Sequence, residues 1–196
     1  MKKIIPTDAV VIPDTAQRVF EGKIFDVYQW PQELFDGSNS IFEMLKRPDT
    51  VVVVGLTPDG VIVLDDEQPH FGSRKSFPGG RVDTTDASVE SAAQREMQEE
   101  TGYSFKNWRL IKVVQPYLKI EWFVYLFVAW EVDGQSEAHL DAGEKIKVEV
   151  VSFDNLRELV LDKQGYLGEG LPAFESVEDL QGLTELPEFV GQEVDR

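Results

Sequence analysis

The sequence predicts an α/β domain in which helices pack on a sheet, and three observations carry that reading. Two β-branched runs, Val51-Val52-Val53-Val54-Gly55-Leu56 and Val61-Ile62-Val63-Leu64, flank Thr57-Pro58-Asp59-Gly60, the composition of a strand–turn–strand hairpin. Unbroken apolar strands of this kind are usually covered on both faces, which calls for helices packed on the sheet. A helix is legible up to Thr101: Asp86 or Ser88 can cap its start, and Gly102 ends it. Finally, Trp122 to Trp130 is a nine-residue apolar run. That is short of the ~18–20 residues of a membrane helix and reads as a buried strand.

The other elements follow in order. Residues 20–30 alternate as a strand that stops at Pro31. Asp36-Gly37-Ser38-Asn39 is a turn cluster, and Ile41 to Leu45 start a short element. Asp65 to Gly80 reads as loop, with two prolines and three glycines. Arg109–Gln115, Glu121–Val132 and Ile146–Val151 read as strands, and Ser152 and Asp154 can cap a short helix over Leu156–Leu161. Residues 167–196 hold eight acidic residues and one basic residue, with four glycines and two prolines, the composition of a tail or a wrapping arm. The chain therefore divides into an N-terminal strand region (1–48), a main domain (49–165) and an acidic C-terminal tail (166–196).

Composition narrows the chemistry. The 196 residues carry 36 acidic and 19 basic side chains, a formal net charge of −17. Nucleic acid and anionic lipid need a positive partner surface, so neither is expected as a partner. The absence of cysteine removes disulfides, thiolate metal sites and cysteine nucleophiles. The N-terminus is basic but has no apolar core followed by a small-residue cleavage site. A soluble cytoplasmic protein is the expectation.

The informative stretch runs from Gly79 to Tyr103. On its helix Glu96, Glu99 and Glu100 are related by i,i+3 and i,i+4, which brings them within roughly 5–6 Å of one another. Like charges at that spacing repel, so the cluster suggests a bound cation; the other reading is a solvated acidic face on an acidic protein. Carboxylate oxygens without His or Cys suit Mg²⁺ or Mn²⁺ rather than Zn²⁺. Arg95, at i,i+4 from Glu99, can hold that carboxylate in place. In front of the helix, Gly79-Gly80 lets backbone approach closely, and a carbonyl there can add another hard oxygen ligand.

These residues resemble the Nudix box, Gly-x5-Glu-x7-Arg-Glu-apolar-x-Glu-Glu-x-Gly-apolar. Gly80 and Arg95-Glu96-Met97-x-Glu99-Glu100-x-Gly102-Tyr103 match it directly. The loop is one residue longer between Gly80 and Arg95, and Asp86 stands where the family has its first Glu. The resemblance implies a Nudix-like α/β/α sandwich with a mixed central sheet. It also implies hydrolysis of a nucleoside diphosphate linked to another moiety. Metal (Mg²⁺ or Mn²⁺) would be held by Glu96, Glu99, Glu100 and the Gly79 carbonyl, and would let so acidic a chain bind an anionic small-molecule substrate.

Within the family the look is that of the ADP-ribose or nucleotide-sugar pyrophosphatases, whose N-terminal strands often serve dimerisation. The strand pair 51–64 leads to Asp66-Glu67-Gln68, although Pro69-His70 stands where that branch has a basic residue. Gln115-Pro116-Tyr117-Leu118 replaces its Ser-Pro-Gly turn. That branch often takes its general base from an acidic loop before a late strand. Glu144 is the first choice for it and Glu137 the second, with an ordinary surface loop as the alternative. Arg74 and Lys75 are the candidates for a phosphate grip, or else solvated loop charges. Tyr28 and Trp30 could stack on a base, or pack inside. Phe77 reads as core, and His70 and His139 as surface residues. A hydrolase of triphosphates or dinucleoside polyphosphates and a non-catalytic nucleotide-binding regulator are the competing functions. The cysteine-dependent isomerases of the superfamily are disfavoured.

Overall fold

The computed structural model describes residues 1–69, 72–140, 142–161 and 176–195. Its strands are β1 (Lys2–Ile5), β2 (Gln17–Phe20), β3 (Asp26–Glu33), β4 (Asn39–Lys46), β5 (Thr50–Thr57), β6 (Gly60–Gln68), β7 (Gly72–Ser76), β8 (Tyr103–Val114), β9 (Ile120–Glu121), β10 (Val124–Gln135), β11 (Lys145–Val151) and β12 (Gln192–Asp195). The helices are α1 (Val89–Thr101), α2 (Phe153–Leu161) and α3 (Leu180–Thr184). Among the described residues no helix is long and apolar enough to cross a membrane.

The central sheet is mixed, as expected. Its order is β11-β6-β5-β10-β8, with β7 on β6; β5 and β10 run parallel and the other pairs antiparallel. Two-residue alternation sends its side chains into two cores. Val51, Val53, Tyr125 and Phe127 join Val89, Ala92, Ala93 and Met97 of α1. Val54, Val61, Val63, Leu126 and Val128 join Leu156 of α2 and Leu183 of α3. The sheet is thus covered on both sides, which is why its strands carry unbroken apolar runs. At Gly55 an added Cβ would stand 2.8 Å from the Met97 methyl, so this position lets α1 approach β5 closely.

A split in the sheet makes room for the site. β5 and β6 pair only at Leu56–Val61 and Thr57–Gly60. Beyond the turn β6 goes to β7 and β11, while β5 goes to β10. The segment 78–82 fills the gap beside β5: Val53 N–H donates to Pro78 O (2.8 Å), Val51 N–H to Gly80 O (2.9 Å) and Val82 N–H to Asp49 O (2.9 Å).

Three expectations are corrected. Pro31 does not stop its strand, for β3 continues to Glu33 against β4 while β2 reaches only Gln29 on the other side. Pro31 therefore faces an open flank, where its missing N–H removes no ladder bond to β2. The loop expected over 65–80 is largely strand, because β6 runs on to Gln68 and pairs with β7. The strand expected from Glu121 begins at Val124; Ile120–Glu121 pairs instead with β4, and the Phe123 N–H donates to the Asp49 carboxylate (2.9 Å).

The β2-β3-β4-β9 sheet is a separate one; it leaves Val19, Phe20 and Ile41 exposed, as its β2–β3 connection leaves Ile24. Of the acidic C-terminal segment, residues 166–175 lie outside the described residues. Residues 176–195 lie on the domain: β12 pairs with β1, Leu183 is fully buried, and Arg109 donates to the carbonyls of Thr184 and Leu186.

Candidate active site

The helix of the box begins where its side chains can cap it. The Ser88 hydroxyl accepts from Ser91 N–H (3.0 Å), the Ser91 hydroxyl accepts from Ser88 N–H (2.8 Å), and Gly102 closes the other end at φ +75°. Asp86, the other expected cap, has a different partner. Its two carboxylate oxygens receive the Nε and Nη2 of Arg95, each at 3.0 Å, in a fork. The same guanidinium reaches Glu96 Oε1 (2.9 Å), Glu99 Oε2 (3.0 Å) and the Arg81 carbonyl (2.9 Å). The expected Arg95–Glu99 contact is present within a larger network that ties the loop to the helix. Donation from Arg95 holds the Asp86 carboxyl below its usual range, and these acids raise the guanidinium's proton affinity.

Glu100 turns the other way, toward the sheet. It is 7% exposed, and its Oε2 accepts the Gly79 N–H at 2.8 Å. At Gly79 a side chain would fall on the Val51 carbonyl, with φ at +153°. At Gly80 a Cβ would come within 2.5 Å of Glu96 Oε1. The glycine pair therefore serves the close approach that its sequence suggests. Burial pushes Glu100 up to about 8, opposed by the Gly79 bond and reinforced by the charges of Glu96, Glu144 and Asp66. Burial also raises Glu96, with Arg95 opposing and Glu99 and Glu144 adding. A carboxylate set that resists its own ionisation gains most from a positive charge beside it.

Glu96, Glu99, Glu100, Glu144, Arg95, Gly79 and Gly80 line one cavity of about 360 Å³. His139 is there too, with its N–H donating to Glu99 O (2.7 Å). The carboxylates and the Gly79 carbonyl are hard oxygen donors, which suits Mg²⁺ or Mn²⁺. Among the described residues no three such side chains are posed to hold an ion, because Glu96 and Glu99 face Arg95 and Glu100 faces Gly79.

A second cavity, of about 540 Å³, adjoins the first; Gly79 and Glu100 line both. Its wall brings together Arg47, Arg74, Lys112, Asp66, Tyr117 and Trp122. Arg74 Nε lies 3.5 Å from Asp66 Oδ2, and burial lowers Lys112. The Arg47 guanidinium lies 4.4 Å from the Trp122 ring centroid and 5.6 Å from that of Phe25.

Of the residues singled out beforehand, Glu96, Glu99, Glu100, Arg95, Gly79 and Glu144 meet in the acid cavity, and Arg74 lines its neighbour. Lys75 does not. Its Nζ bonds Glu149 at 2.6 Å, holding that carboxylate down at about 2 together with Lys147. The strand β7, unseen in sequence, alternates Arg74 toward the cavity and Lys75 away. Tyr28 is paired inside the separate sheet, opposite Met44, and lines neither cavity; Glu137 is exposed and lines neither. His70 lies outside the described residues. Phe77 belongs to the core, as expected, and borders the larger cavity. Arg47, Asp66, Lys112, Tyr117 and Trp122 were missed, for they sit in five different segments with no spacing to link them.

The chain belongs to the NUDIX domain family, which matches residues 46–170. Over 156 residues it is 30% identical to the ADP-ribose pyrophosphatase of Bacillus subtilis (strain 168), covering 76% of this chain and 83% of that one. It is 24% identical over 155 residues to the methanol dehydrogenase activator of Bacillus methanolicus, again covering 76% and 83%. A crystal structure of an ADP compounds hydrolase shares the fold with a TM-score of 0.63, at 18% identity, over 83% of this chain and 89% of that one.

Proposed function

We propose that this Nudix hydrolase is a divalent-metal-dependent pyrophosphohydrolase that cleaves a nucleoside diphosphate linked to a second moiety. ADP-ribose or a nucleotide sugar is the substrate class. The observation that carries the reading is the carboxylate set Glu96, Glu99, Glu100 and Glu144 gathered in one cavity around Gly79, with Glu100 buried. The likeness to an ADP-ribose pyrophosphatase supports the choice of substrate.

Glu96, Glu99, Glu100 and the Gly79 carbonyl would hold Mg²⁺ or Mn²⁺, with Glu96 and Glu99 giving up part of their contact with Arg95. Such an ion, when bound, offsets the diphosphate charge and lowers the pKa of a bound water. The chain's own groups do the rest. Arg95 fixes the loop and the helix face at one distance. The Gly79 N–H orients Glu100. Glu144 enters from the loop before β11 and takes the proton of the attacking water as general base. Arg74 and Lys112 give the neighbouring cavity the positive charge that phosphate oxygens need. We also infer a homodimer through the N-terminal sheet, supported by its exposed Phe20, Ile24 and Ile41.

The test is a hydrolysis screen over ADP-ribose, nucleotide sugars, dinucleoside polyphosphates and nucleoside triphosphates, with and without Mg²⁺. Metal-dependent release of a nucleoside monophosphate from the first two classes is expected. Turnover confined to the last two classes would replace this reading with a house-cleaning hydrolase. Binding without any turnover would leave a nucleotide-binding regulator.

A further inference from the structure

We propose that the nucleobase of the substrate is bound on the Tyr117–Trp122 pair, within the chain that carries the carboxylates. This rests on the nucleotide-hydrolase reading above and adds where the base goes. The two cavities share Gly79 and Glu100, so a diphosphate lying against the acids sends one of its flanking groups toward these rings.

The rings suit a planar guest. Their planes lie 19° apart, with centroids separated by 6.4 Å. Tyr117 is 59% exposed, leaving ring surface for a third layer, and aromatic faces accept any base. Trp122 is held in place, because its indole N–H donates to the Thr50 hydroxyl at 3.0 Å. Beside it lies Arg47, stacked on the Trp122 ring. Its Nε is buried and has no hydrogen-bond partner among the described residues. A guanidinium only donates, and every base edge offers it an acceptor, either an unprotonated ring nitrogen or a carbonyl oxygen. A ribose or pyranose could lie on the rings through its C–H face, but it would leave a planar donor beside a planar stack without a matching edge. Tyr28 and Trp30 line neither cavity, and Phe77, which borders the larger one, is buried in the core, so the ring pair open to a guest is Tyr117 and Trp122.

The experiment is a calorimetric titration of the full chain, without metal, using adenosine 5′-monophosphate and ribose 5-phosphate as probes. Wild type, Tyr117→Ala and Tyr117→Phe are compared; the exposed position of Tyr117 spares the core. Loss of one stacking partner is expected to weaken the nucleotide about tenfold in Tyr117→Ala, with Tyr117→Phe within about twofold of wild type. Ribose 5-phosphate should be unaffected by either change. Three results would overturn the proposal: no nucleotide binding, unchanged nucleotide affinity in Tyr117→Ala, or an equal loss for both probes, which would place a sugar on the rings. Turnover of ADP-ribose is followed in parallel. Turnover with an insensitive nucleotide affinity sinks only the base site. A Tyr117-dependent affinity without turnover sinks only the hydrolase reading.

Discussion

The two cavities meet at Gly79 and Glu100 and are built in opposite ways. The acid cavity takes nearly all its wall from one continuous segment, residues 79–100, closed by His139 and Glu144. Its carboxylates crowd together, burial pushes Glu96 and Glu100 up, and Arg95 bonds Glu96 and Glu99, leaving a site that a bound cation would stabilise further. Its neighbour draws on Arg47 just after β4, on β5, β6, β7, β8 and β10, and on the turns beside β9, and mixes cations with rings. On the proposed reading, one cavity serves charge and chemistry and the other shape and recognition. A local motif can encode the first, because helical spacing alone gathers its carboxylates. Only the finished fold can assemble the second.

If Arg95 is what keeps the acid cavity in one piece, its removal should have the largest effect on stability. Arg95→Ala strands Asp86, Glu96 and Glu99 without their shared partner. A loss of about 3 kcal/mol is expected, the scale for breaking a partly buried ionic network. Urea unfolding would measure it. A loss under about 1 kcal/mol would mean that the loop is held by the Val51 and Val53 backbone bonds instead.

The smaller contrast is between the adjacent cations of β7. Arg74 lines the recognition cavity, whereas Lys75 is spent on Glu149 across the sheet. Arg74→Ala should raise KM several-fold. Lys75→Ala should leave kcat/KM unchanged and cost under about 1 kcal/mol, as partly exposed ion pairs do. Equal kinetic effects from the two variants would mean that both reach the substrate.

Legibility in the sequence follows the same division. The helix-covered sheet and α1 could be read because the β-branched runs, the Ser88 cap and the Gly102 stop are local signals, whereas the mixed strand order came from the resemblance. So could the acids, since i,i+3 and i,i+4 relations survive any tertiary context. The strand β7 was hidden because Gly-Ser-Arg-Lys-Ser has no apolar alternation; its pairing with β6 overrides weak propensity. The fork from Arg95 to Asp86 was equally invisible, since the two stand nine positions apart across loop and helix and no periodicity relates them. Trp122 and Tyr117 stood in plain view as aromatic residues, yet they flank β9, whose pairing with β4 is a long-range contact that no local pattern announces.

Manganese binding is the direct test of the proposed metal site at Glu96, Glu99 and Glu100. Electron paramagnetic resonance titration of Mn²⁺ into wild type and Glu100→Gln would give both affinities. Glu100→Gln keeps the size of the side chain and an acceptor oxygen for the Gly79 N–H while removing the charge. Wild type should bind the ion, and the variant should bind it at least about tenfold more weakly, as loss of a charged ligand requires. Equal affinity in the two proteins, or no binding to wild type, would contradict the claim.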